Sequence, residues 1–108
     1  MYNYKATVKK IVDGDTIDVV IDLGFKIYQE HRLRLARINT PELKAKDEIV
    51  RNSALKAKEF ASNLLLNKEV IITTSKTDIY GRYLAEVVVD GKNVSDMLLE
   101  NNLAVLYS

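Results

Sequence analysis

Hydrophobic and polar residues alternate along much of this chain with the two-residue period of half-buried β-strands. The clearest run is "TIDVVIDL". Ile17, Val19, Ile21 and Leu23 share one face, and Thr16, Asp18, Val20 and Asp22 share the other. Residues 4–12 before it are mixed but β-permissive, and "DGD" at 13–15 signals a tight turn between the two segments. "GF" at 24–25 turns the chain again. "KIYQEHRLRLARI" then alternates, with Leu33 and Leu35 on one parity and Arg32, Arg34, Ala36 and Ile38 on the other. Asn39 and Pro41 are expected to end that strand, and Pro41 pushes Thr40 towards an extended conformation.

From residue 47 to 66 the period lengthens to that of a helix. Val50, Ala54, Ala57, Phe60 or Ala61, and Leu64 recur every three or four positions. Asp47 is a candidate cap and Asn67 a candidate left-handed stop. "EVIITTS" (69–75) and "YLAEVVVD" (83–90) predict two further strands, joined through "DIYGR" at 78–82. "DG" at 90–91 predicts a turn. Asn93 can cap a short helix that carries Val94, Met97 and Leu98 and ends near Asn101 and Asn102. Three strands, a helix, two strands and a short helix follow the order of an α+β, mainly β, five-stranded OB-type barrel. A flat α+β sheet would use the same elements, and periodicity does not separate the two.

The 108 residues suffice for one domain, expected over 1–108. Cysteine is absent, which excludes disulfides and thiolate chemistry. A single histidine, His31, excludes a multi-histidine metal site within one chain. No apolar run reaches the ~20 residues of a membrane span, and the N-terminus carries no signal-peptide core, so a soluble chain without membrane contact is expected. The formal net charge of +1 argues against nucleic-acid binding by bulk charge. Any phosphate binding must rest on a few placed arginines.

Three polar stretches at strand ends carry the candidate chemistry. In "VDGDT" (12–16) two aspartates bracket a glycine. In isolation that is ordinarily a hairpin turn with local hydrogen bonds, whereas a carboxylate aimed into a site would bind a hard divalent cation. In "RLRLARINTPE" (32–42), Arg34 shares a face with apolar residues and needs a partner. Asp18 or Glu86 would make it a surface salt bridge, and a phosphate would use its bidentate fork. Glu42, after the rigid Pro41, is either a surface charge or a carboxylate aimed at a water. In "DIYGR", Asp78 and Arg82 could simply pair across the turn, and Tyr80 offers a face on which a base can stack. Each bland reading is stronger singly. Together, two strand-borne arginines and several oxygen-rich turns are the parts that phosphodiester cleavage needs.

These motifs, with "VSDMLLENNLA" (94–104), make the chain resemble the staphylococcal nuclease family over nearly its whole length. The resemblance implies a calcium-dependent endonuclease acting on DNA, RNA or both, with single strands preferred, 3′-phosphate products and a monomeric state. By position it implies metal ligands at Asp15, Asn39 and the Thr40 carbonyl. It implies phosphate contacts from Arg34 and Arg82, a water-activating carboxylate at Glu42, and nucleotide contacts from Tyr80 and Tyr107. The alternative is an OB-fold nucleic-acid-binding module with weakened or lost catalysis, as in some nuclease-like repeats. Two departures bear on the choice. The type member has aspartate where this chain has Asn39, so weaker calcium binding or a changed metal preference is expected. The family's closing C-terminal helix is not matched, and "DLGFKIYQEH" (22–31) differs from the type member in its turn.

Overall fold

The computed structural model describes residues 2–77 and 83–107. The motif residues Asp78, Tyr80 and Arg82 lie outside the described residues. Strand β1 (Tyr2–Asp13), β2 (Thr16–Asp22) and β3 (Tyr28–Leu35) form an antiparallel meander. A two-residue strand β4 (Ile38–Asn39) and helix α1 (Glu48–Leu65) follow. Then come β5 (Glu69–Thr77), β6 (Tyr83–Val89), the short β7 (Lys92–Asn93), helix α2 (Val94–Glu100) and β8 (Val105–Leu106).

The sheet runs β3-β2-β1-β5-β6-β7, and a parallel pairing of β3 with β6 closes it. Five long strands therefore make a closed barrel of OB type, with α1 between the third and fourth of them. Closure settles the choice that periodicity left open: the sheet is a barrel, closed where Leu33, Arg34 and Leu35 of β3 pair with Tyr83, Leu84 and Ala85 of β6. Inside it, Val8, Ile17, Val19, Leu33, Leu35, Ile72 and Val87 are almost fully buried. The alternation of β2 holds through Ile21. Leu23, placed on the same face, is exposed, because the β2–β3 hairpin has by then left the barrel. That hairpin turns through Gly24, Phe25 and Lys26, all with positive φ.

Both helix starts follow the capping chemistry. The Asp47 side chain accepts a hydrogen bond from the Ile49 N–H, and Asn93 accepts one from the Asp96 N–H. Asn67, at φ 63°, turns the chain out of α1, and its N–H donates to the Val8 carbonyl. The face of α1 that meets the barrel carries Ala54, Ala57 and Ala61, whose small side chains allow close approach.

The third strand departs from its predicted length. It ends at Leu35, and Arg37 takes φ 71° before the chain re-extends as β4. Nothing local demands that turn. The Arg37 guanidinium forks onto Glu86 at 2.6 and 3.0 Å and reaches Asp96 at 3.0 Å, while Ser95 Oγ donates to the Ala36 carbonyl. Contacts distant in sequence thus hold the backbone in an uncommon region. The turn sends Ile38 into the core and carries Asn39 back towards Arg34.

Candidate functional site

The β1–β2 turn, the end of β3, β4 and β8 converge on one point. The Asp15 carbonyl accepts from the Leu35 N–H at 2.8 Å, so the Asp-Gly-Asp turn is fastened to the end of β3. Gly14 packs flat against α1 and the chain at Thr40. A Cβ at that position would lie 2.8 Å from the Ala57 Cβ and 2.9 Å from the Thr40 Cγ2. β4 pairs with β8, and the Tyr107 N–H donates to the Arg37 carbonyl.

At the centre, Asp15 and Arg34 are each only 8% exposed, and Arg34 Nη2 stands 3.6 Å from Asp15 Oδ2. Arg34 does not take either partner that the sequence offered. Asp18 pairs with Arg32, and Glu86 with Arg37. Arg34 instead donates to the Leu35 carbonyl at 3.1 Å and to the amide oxygen of Asn39. The Tyr107 ring lies over its guanidinium, 5.1 Å from carbon to centroid. The Thr40 N–H faces Asp15, donating to Oδ2 at 3.1 Å. Thr16 Oγ1 donates to Oδ1 at 3.1 Å.

The two aspartates of the turn differ in proton affinity. Burial, hydrogen bonding with Asp15 and repulsion from its charge push the Asp13 carboxyl up to about 6. Burial also pushes Asp15 up, but hydrogen bonds from Asp13 and Thr40 and the charge of Arg34 outweigh it and hold Asp15 below the usual carboxylate range. Asp13 is the member of the site that sequence reasoning passed over. Its signal was the doubled aspartate of "VDGDT", which does not say which carboxyl binds its proton more tightly.

The structure therefore brings Asp15, Arg34, Asn39, Thr40 and Tyr107 together. Glu42 is exposed on the loop that follows Thr40, and its side chain has no hydrogen-bond or ion-pair partner among the described residues. Arg51 braces the far side of this loop by donating to the Ala45 and Lys46 carbonyls at 2.8 and 2.7 Å. Tyr80 and Arg82 lie outside the described residues.

The family model for staphylococcal nuclease homologues matches residues 32–108, more than half of the chain. The chain belongs to the staphylococcal nuclease family. The matched span holds Arg34, Asn39, Thr40, Glu42 and Tyr107, and the fold delivers Asp15 to them from outside it. Among similar proteins, endonuclease YncB of Bacillus subtilis is 32% identical over 102 residues, covering 91% of this chain and 46% of the relative. A micrococcal nuclease of Shigella flexneri is 33% identical over 85 residues, covering 79% of this chain and 42% of its own length. An uncharacterized protein of Methanocaldococcus jannaschii is 31% identical over 111 residues, covering 84% of this chain and 51% of that protein. The chain thus spans about half or less of the length of these relatives.

The family implies a calcium ion. Asp15, Asn39 and Thr40 supply only oxygen donors, which is the chemistry a hard cation takes. The set is lean: no group of three or more acidic or histidine side chains gathers here among the described residues. Asp13, whose carboxyl is raised to about 6 beside Asp15, is a further carboxyl of the same turn. The donors fit a hard divalent cation, with one firm negative charge to hold it. Among the described residues no helix is long and apolar enough to cross a membrane.

Proposed function

We propose that this staphylococcal-nuclease-family chain is a metal-assisted endonuclease that hydrolyses phosphodiester bonds of DNA or RNA, with an unpaired strand as substrate and the monomer as the working unit. The observation that carries the reading is the setting of Arg34. It is buried at a strand end and held mainly by neutral oxygens, with its nearest carboxylate at 3.6 Å. A guanidinium so placed is desolvated, oriented and not fully neutralised, which suits it to phosphate oxygens.

Asp15, Asn39 and the Thr40 carbonyl would hold the cation, which when bound supplies positive charge at the phosphate. Glu42 takes a proton from the attacking water. The water oxygen bonds to phosphorus, the bond to the 5′ oxygen breaks, and that oxygen takes a proton from solvent water to leave as a 5′-hydroxyl, so a 3′-phosphate remains and Glu42 returns its proton to solvent. Arg34 offsets the charge that builds on the phosphoryl oxygens, and Arg82 does the same by family resemblance. Tyr107, already against Arg34, and Tyr80 border the nucleotide. Asn39 favours calcium binding weaker than an aspartate there would give. It is also the feature that favours a second reading, a binding module with little catalysis, because its amide oxygen serves Arg34.

Cleavage of a fluorescent single-stranded oligonucleotide, in calcium and then in chelator, separates the two. The endonuclease reading expects calcium-dependent cleavage that falls roughly 10²–10³-fold in Arg34→Ala and about 10²–10⁴-fold in Glu42→Ala. Binding without cleavage would leave the binding module.

A further inference from the structure

A groove of about 370 Å³ is lined by residues of β1, β2 and β3: Lys9, Lys10, Asp18, Val19, Glu30, His31 and Arg32. That volume lies in the range of small-ligand sites, roughly 300–1,000 Å³. Its position relative to Arg34 is fixed by the strand registers. Thr16 is opposite Arg34, and one period further on Lys10, Asp18 and Arg32 are in register across three strands. Side chains two residues apart share a face, so Arg32 lies on the same side of β3 as Arg34, about 7 Å along.

Two features suit the groove to a nucleic-acid backbone. The first is the irregularity in β1. Consecutive strand residues point to opposite faces, yet Lys9 and Lys10 both line the groove and both are exposed. The pairing of β1 with β2 skips Lys9, between Val8 and Lys10, and such a bulge re-aims side chains in this way. The second is the fork between Arg32 and Asp18, which uses Nε at 2.8 Å and Nη2 at 3.1 Å. It sets the plane of the guanidinium and leaves Arg32 Nη1 without a hydrogen bond among the described residues. With Asp18 neutralised by that fork, two lysines face one carboxylate, Glu30. His31 adds an aromatic ring, braced edge-on by Tyr83 at 5.3 Å between centroids.

We propose that this groove is a subsite for single-stranded nucleic acid, binding the nucleotide one step along the strand from the phosphate at Arg34. Lys9, Lys10 and Arg32 Nη1 take the backbone phosphate, and the His31 ring borders the base. The inference rests on the reading of Arg34 as the phosphate site. The step of about 7 Å between Arg34 and Arg32 is on the order of the through-space distance between neighbouring phosphates of one strand, so the two arginines fit successive phosphates.

The test is fluorescence anisotropy with fluorescein-labelled deoxythymidine dinucleotide and hexanucleotide, using the whole chain and Lys9→Ala/Lys10→Ala. Both lysines are exposed, and matched melting curves check the fold. The subsite predicts that the double variant loses about tenfold affinity for the hexamer, less than twofold for the dimer, and about one unit of log-log salt slope. Equal losses on both lengths, or none on the hexamer, would overturn it. Cleavage measured in parallel keeps the two readings apart. A length-dependent loss with no cleavage by the unaltered chain would sink the nuclease and leave the subsite.

Discussion

Two turns in this molecule are spelled Asp-Gly, and they use the glycine for opposite reasons. At the β6–β7 turn, Asp90 and Gly91 have φ of 51° and 79°, and a Cβ on Gly91 would meet nothing within 4 Å. That glycine serves the left-handed backbone of a tight hairpin. At the β1–β2 turn, Gly14 is not left-handed. It is pressed between Ala57 and Thr40, and the space it leaves lets the turn sit down on α1 and aim Asp15 at Arg34. One glycine permits a conformation and the other permits an approach. Only the second is part of a site.

The sharpest way to break this contrast is to add a methyl group at each. Gly14→Ala forces a contact that real side chains essentially never show, so it should cost about 2–3 kcal/mol by denaturant unfolding, as overpacked cores do. Gly91→Ala should cost about 1 kcal/mol or less, since the left-handed penalty is partly offset by a stiffer unfolded chain. Equal losses would remove the distinction between the two turns.

A smaller effect separates the aspartates. Asp13 has a folded pKa of about 6 against an ordinary 3.8, so the fold favours its protonated form. Its stabilising contribution is complete below pH 3.8 and is lost as pH rises to about 6. Asp13→Asn, which mimics the neutral carboxyl, should match the parent near pH 4 and melt above it beyond pH 6, in chelator. Asp90→Asn should show no such window. A pH-independent difference for Asp13→Asn would mean that its carboxyl is not held neutral.

Much of the fold was legible because its signals are local. Alternation marked β2, Asp47 and Asn93 marked helix starts, and Asn67 marked a stop. The break in the third strand was not legible, because Arg37 is held left-handed by Glu86 and Asp96, 49 and 59 residues away. The same non-local competition hid the partner of Arg34. Sequence offered Asp18 and Glu86, but register assigns these to Arg32 and Arg37, and the turn at Arg37 brings Asn39 instead. Tyr107 reached Arg34 through the pairing of β8 with β4, a contact of two-residue strands that no periodicity announces. Motif spelling could name the residues of the site, but not their hydrogen bonds or which carboxyl binds its proton more tightly.

The most direct test of the account is the rate of single-stranded oligonucleotide cleavage in calcium by Asp15→Asn beside Asp90→Asn. Both remove one carboxylate from an Asp-Gly turn. The account predicts a loss of about 10²-fold or more for Asp15→Asn and the parent rate for Asp90→Asn. Equal rates in the two variants, with both folded, would contradict it.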